Sequence, residues 1–187
     1  MTHSLHRQGT PENLKNDYVI FAMSAKEHNE VGSAGKMQHF MELMQKHQPV
    51  NVGDMKTGNW FKVPPGALTA NIQDTSIVHA VFTDLETVAE VLKELQQADL
   101  GISVIVSGLL ESVHDVCCHL GVNPAPHTIE HSLGIWGKTE LLPSVSVLEI
   151  STMCGHGMVA FNLIEEAVAD LRAGRPGDQG PRLERDR

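Results

Sequence analysis

Apolar side chains along the chain gather in short blocks separated by glycine, proline and charge, and the spacing inside each block predicts an element. Tyr18–Met23 reads YVIFAM, a β-branched and aromatic run that predicts a strand. Met37, Phe40, Met41 and Met44 recur three and four residues apart, one face of a helix that Pro49 ends. A methionine face of this kind suits a core or a contact between copies of the chain, hence a homo-oligomer. Residues 48–75 hold no steady period around Trp60 and Phe61, and predict a long connection with short strands at most, anchored by Trp60.

From Ile77 the pattern becomes regular. Ile77–Phe82 predicts a strand, Asp84 an N-cap, and Leu85, Val88, Ala89, Val91, Leu92 and Leu95 the inner face of a helix. Residues 102–106 predict another strand. Ser107-Gly108 then opens a helix with Leu109, Leu110, Val113, Val116, Cys117 and Leu120 inward, stopped by Gly121. Strand, helix, strand, helix is a βαβα unit, for which a parallel crossover is the expected geometry. Val145, Val147, Leu148 and Ile150, after Pro143, predict a further buried strand. Met158, Val159, Phe161, Leu163, Ile164, Ala167, Val168 and Leu171 predict the helix that follows it. Together these elements predict an α/β or α+β fold: a single mixed sheet of about five to six strands with helices packed on it.

Residues 1–16 are polar and are expected to be mobile, residues 17–173 to form one globular domain, with 17–75 open to being a separate lobe. Residues 174–187, where Arg175, Arg182, Arg185 and Arg187 alternate with Asp178, Glu184 and Asp186, are expected to be a disordered tail. At 187 residues the chain is long enough for a hydrophobic core without staples. A net charge of −9 argues against a nucleic-acid partner, since phosphate binding needs clustered Lys and Arg. No apolar run is long enough to span a bilayer and the first residues lack an apolar signal core, so no membrane partner is expected. Three cysteines, two of them adjacent at Cys117 and Cys118, suit a reducing compartment and a cytoplasmic location.

Eleven histidines change the picture, because they raise the expectation of metal or acid–base chemistry. Cys154-Gly155-His156-Gly157 places a thiol and an imidazole between glycines, where the predicted strand gives way to the predicted helix. At a helix N-terminus the unpaired N–H groups stabilise a thiolate or an oxyanion. Gly155 and Gly157 admit positive φ and close approach of a ligand, and Ser151 and Thr152 just upstream are candidate caps or donors to it. His127 and His131 are four residues apart and converge on one face whether the segment is helical or extended. With Glu130 they spell HxxEH, the order of inverted zinc peptidases, but Pro126 and Gly134 leave little room for the long helix such a site uses. Ser107, Gly108 and Asp84 are expected at the carboxyl edge of the sheet, where open α/β folds take ligands. Gly32-Ser33-Ala34-Gly35-Lys36 resembles a phosphate loop only superficially, because Glu30 and Met37 stand where the motif needs glycine and a hydroxyl.

The preferred expectation is a small-molecule enzyme, a metal-dependent hydrolase or lyase. His127, His131 and His156, or Cys154 in place of the last, hold a divalent metal ion, zinc first with iron or nickel admitted. Glu130 or Glu149 moves protons, and Cys154, His156 and Glu130 are the catalytic set. One alternative is a metal-free enzyme with Cys154 as nucleophile, His156 or a histidine of the 127–131 segment as base, and the N–H groups around Gly155 to Met158 as oxyanion hole. Another is a non-catalytic domain that senses a metal or anion at the same turn.

Overall fold

The computed structural model describes residues 7–123, 126, 135–153, 157 and 159–175. By its internal contacts the chain divides into two units, Pro11–His127 and a second made of Met1–Thr10 with Thr128–Arg187.

The first unit is an α+β layer built on five strands. After a four-residue helix α1 (Pro11–Leu14), the order is β1 (Tyr18–Met23), α2 (Ala34–Lys46), β2 (Asn51–Asp54) and β3 (Gly58–Asn59). It continues with α3 (Pro65–Ala70), β4 (Ile77–Phe82), α4 (Leu85–Ala98), β5 (Ser103–Ser107) and α5 (Leu110–His119). The sheet order is β3-β2-β4-β1-β5, and every hydrogen-bonded pair is antiparallel. The βαβα order is present in β4, α4, β5 and α5, and β4 and β5 run the same way. They are not neighbours, however, because β1 lies between them, pairing Phe21 with both His79 and Ile105. In the same manner β4 separates β1 from β2. The result is two split β-α-β units, crossed by α2 and α4.

Strand alternation sorts the two faces. Tyr18, Ile20 and Ala22 of β1, Val52 of β2 and Val78, Ala80 and Phe82 of β4 point to one side and are buried. On them sit Met37, Phe40, Met41 and Met44 of α2 and Val88, Val91 and Leu95 of α4, with Leu68 of α3 closing the layer. The methionine face of α2 is therefore core. Burying side chains of this size contributes roughly 1.5–3 kcal/mol each, which is why the helices lie on this face of the sheet. Trp60 packs at the edge of the core, its ring edge-on to Phe61 at 6.3 Å.

Helix ends are secured from within and from afar. Asp84 caps α4, its Oδ1 accepting the Thr87 N–H at 2.7 Å, as its position ahead of the apolar face predicts. Ser33, at the start of α2, makes no side-chain cap. Asp74 reaches across instead, accepting the N–H groups of Gly32 and Ala34 at 2.8 Å each.

Within the second unit, the described residues form a single 3₁₀ turn (Thr139–Leu141) and two helices, α6 (Val145–Ser151) and α7 (Phe161–Arg172), which pack on each other. This corrects the expectation of a strand at 145–150. Val147, Leu148 and Ser151 are buried while Val145 and Ile150 are exposed, a helical rather than an alternating pattern. β-branched residues favour strands only where a sheet offers them neighbours, whereas a helix satisfies its own backbone.

Candidate functional site

The helix at 145–151 changes the chemistry expected of Cys154-Gly155-His156-Gly157. These residues follow the C-terminus of α6, and the N-terminus of α7 comes only at Phe161. A helix C-terminus carries partial negative charge, which favours a cation and disfavours a thiolate. The run thus comes after a helix end rather than after the strand that the sequence predicts. Gly157 has φ +61, the left-handed conformation its glycine identity was expected to serve. Cys154, Gly155, His156 and Met158 lie outside the described residues, as do Glu130, His127 and His131.

Ser151 and Thr152 are both buried and their hydroxyls are turned back into α6. Ser151 Oγ donates to the Leu148 carbonyl at 3.2 Å and Thr152 Oγ1 to the same oxygen at 2.7 Å. Thr152 Oγ1 also accepts the Gln8 N–H at 2.9 Å, so the chain just before the Cys-Gly-His-Gly run is firmly tied.

At the other candidate position, the ends of β4 and β5 do share one edge of the sheet, as expected for Asp84, Ser107 and Gly108. Ser107 is exposed there. The space beside Gly108 is taken: a Cβ on it would stand 2.5 Å from Cδ1 of Tyr18 and 3.2 Å from Cγ2 of Val113. Tyr18 is fully buried, so the missing side chain at Gly108 lets a core ring approach on that side, while Gly108 itself is exposed. The start of α2 is likewise closed to a phosphate, since Asp74 already takes the N–H groups such a ligand would need. Those two hydrogen bonds, Gly32 first, hold the Asp74 carboxyl below the usual carboxylate range.

Two groupings gain weight from the fold. His79 stands on the sheet face opposite the helices, beside Gly53, where a Cβ would meet its Cε1 at 2.8 Å. Burial depresses its imidazolium below the usual range, opposed by the nearby Asp54 carboxylate. Burial therefore disfavours the charged form of this half-buried ring. Its signal in the sequence was the period of two: a histidine between Val78 and Ala80, both inward, must face the other side. Asp54 itself is buried and accepts from Ser76 Oγ at 2.9 Å, Lys56 N at 3.1 Å and Thr57 Oγ1 at 3.3 Å. Those bonds make it a staple for the β2–β3 turn.

The second grouping is on α5. Cys118 and His114 are exposed, four residues apart, with the sulfur 3.7 Å from Nδ1 and 3.8 Å from Nε2. The adjacent Cys117 is buried, and burial followed by the neighbouring Cys118 pushes its thiol up. Among the described residues, no group of three or more His, Cys, Asp or Glu is placed to hold a metal ion, and no helix is long and apolar enough to cross a membrane. No family model, no curated protein and no solved structure matches the chain.

Proposed function

We propose that this protein is a small-molecule enzyme of the metal-dependent hydrolase or lyase type, working in the cytoplasm and assembling as a homo-oligomer. Its proposed ligands are His127, His131 and His156, with Cys154 the alternative third donor, Glu130 the proton carrier and zinc the first candidate ion ahead of iron or nickel. Such an ion polarises a carbonyl or lowers the pKa of a bound water. The observation that supports this reading over a cysteine nucleophile is the helix that precedes the run. Cys154 and His156 follow a C-terminal helix end, whose partial charge favours a bound cation. Gly157, at φ +61, adds a backbone conformation that L residues rarely adopt, and the buried Thr152 fixes the chain on the upstream side.

Elemental analysis of the purified protein tests the proposal. About one equivalent of metal per chain is expected, reduced severalfold by His127→Ala or His131→Ala with the thermal transition retained. A metal-free protein whose turnover is abolished by alkylating Cys154 and indifferent to chelators would refute it in favour of the nucleophile.

A further inference from the structure

The sheet of the first unit has one unprotected edge. β5 ends the strand order, and among the described residues no hydrogen bond joins Ser103–Ser107 to anything but β1. The N–H and C=O groups on its outer side are a template for a further strand. Sheet edges are ordinarily blunted by shortness, a charge, a proline or a bulge. The opposite edge, β3, is only two residues long. β5 has five residues, reads SVIVS without charge or proline, and pairs with β1 in unbroken register. Ser103, Val104 and Ser107 are exposed.

A second feature of this strand selects its partner. Ser103-Val104-Ile105-Val106-Ser107 is the same sequence read in either direction. Antiparallel pairing with a second copy, about a two-fold axis at Ile105, sets Ile105 opposite its own equivalent, Val104 opposite Val106 and Ser103 opposite Ser107. Each is a favourable cross-strand pair, β-branched side chains against one another and hydroxyl against hydroxyl. The two faces match as well. Val104 and Val106 stand opposite the buried Ala22 and Ile20 on the helix side of the sheet, so Ser103, Ile105 and Ser107 take the other side. Pairing about Ile105 continues both faces from one copy into the next. An uncharged strand also lets two chains of net charge −9 meet without like charges opposed at the contact.

We propose that the outer edge of β5 is the contact surface for a second copy of this chain, the two edges joining antiparallel about Ile105 so that two five-stranded sheets become one. The proposal deepens the homo-oligomer reading and rests on it, but needs none of the proposed metal ligands. Five residues a side fall below the standard interface size, so a weak dimer with a Kd on the order of micromolar is expected.

Sedimentation equilibrium of the full-length protein from about 1 to 100 µM tests it, because mass action shifts a weak dimer across that range. Ser103→Lys with Ser107→Lys sets lysine opposite lysine at both ends of the pairing and should weaken the dimer about tenfold or more. Ser103→Lys with Ser107→Glu sets opposite charges together there and should keep it. Both serines are exposed, so far-ultraviolet circular dichroism should not change in either variant. A short thiol-to-thiol crosslinker reads the register in a chain carrying Cys118→Ser and Cys154→Ser, where the remaining Cys117 is buried. Ile105→Cys should link two copies, since directly opposed Cβ atoms lie about 4.5–5.5 Å apart. Ser103→Cys should not, because residue 103 then stands about 14 Å along the strand from its equivalent. A wild-type chain that stays monomeric at about 100 µM overturns the pairing together with the homo-oligomer, and leaves the edge to some other strand. An oligomer that the paired lysines leave intact, that the opposite charges also break, or that crosslinks through residue 103 and not 105 overturns the pairing while the homo-oligomer stands.

Discussion

Replacing Gly108 by alanine is the sharpest test of whether that residue is a ligand cradle or part of the core. The new methyl would lie 2.5 Å from Cδ1 and 2.9 Å from Cε1 of Tyr18, and 3.2 Å from Cγ2 of Val113. Carbon atoms pack best at about 3.5–4.0 Å, so the ring or the start of α5 must retreat by roughly 1 Å. The ring has little freedom to do so. Tyr18 is 1% exposed and its strand is fixed by pairing on both sides, opposite Phe82 and, one residue on, Ser107. Overpacking of this kind costs about 1–3 kcal/mol. For a chain of this length each kcal/mol lowers the melting temperature by about 2–4 °C, so a fall of about 2–12 °C is expected by thermal circular dichroism. Tyr18→Leu should relieve the clash, making the double variant at least about 1 kcal/mol more stable than the two single changes sum to. A Gly108→Ala protein as stable as wild type, or strict additivity with Tyr18→Leu, would show that the ring does not occupy this space.

Three further outcomes follow from the same geometry. Asp54→Ala leaves the buried Ser76 hydroxyl and the Lys56 N–H without their acceptor and should cost about 1–3 kcal/mol in urea unfolding, while Asp54→Asn, which keeps one oxygen, costs less; an alanine variant as stable as wild type removes the staple. His79 has a folded-state pKa below its ordinary 6.5, so the unfolded chain takes up the proton first and stability declines as pH falls from 6.5 toward the lower value. His79→Gln should flatten the melting-temperature profile across that window, and an unchanged slope contradicts the assignment. Asp74 has its pKa held below 3.8, so its contribution is complete above 3.8 and is lost as the pH drops through the folded value. Asp74→Asn should remove this acid-side decline; an identical acid transition in the variant would mean that the cap on α2 is not what titrates.

Local pattern alone determined much of this protein. The period of two in Tyr18–Met23 and Ile77–Phe82, the three- and four-residue steps of α2 and α4, and the cap at Asp84 follow from backbone geometry that neighbouring residues set among themselves. The burial of Cys117 and of the α2 methionines follows from the same steps. What only the tertiary structure decided depends on residues far apart in the chain. Nothing near β4 or β5 specifies that β1 will lie between them, because strand pairing is chosen by how distant apolar faces fit. Val147 and Leu148 suit a strand or a helix equally, and their packing with α7 selects the helix. Asp74 caps a helix some forty residues before it, and Tyr18 fills the hollow beside Gly108, two contacts made across the fold between residues that no local spacing connects.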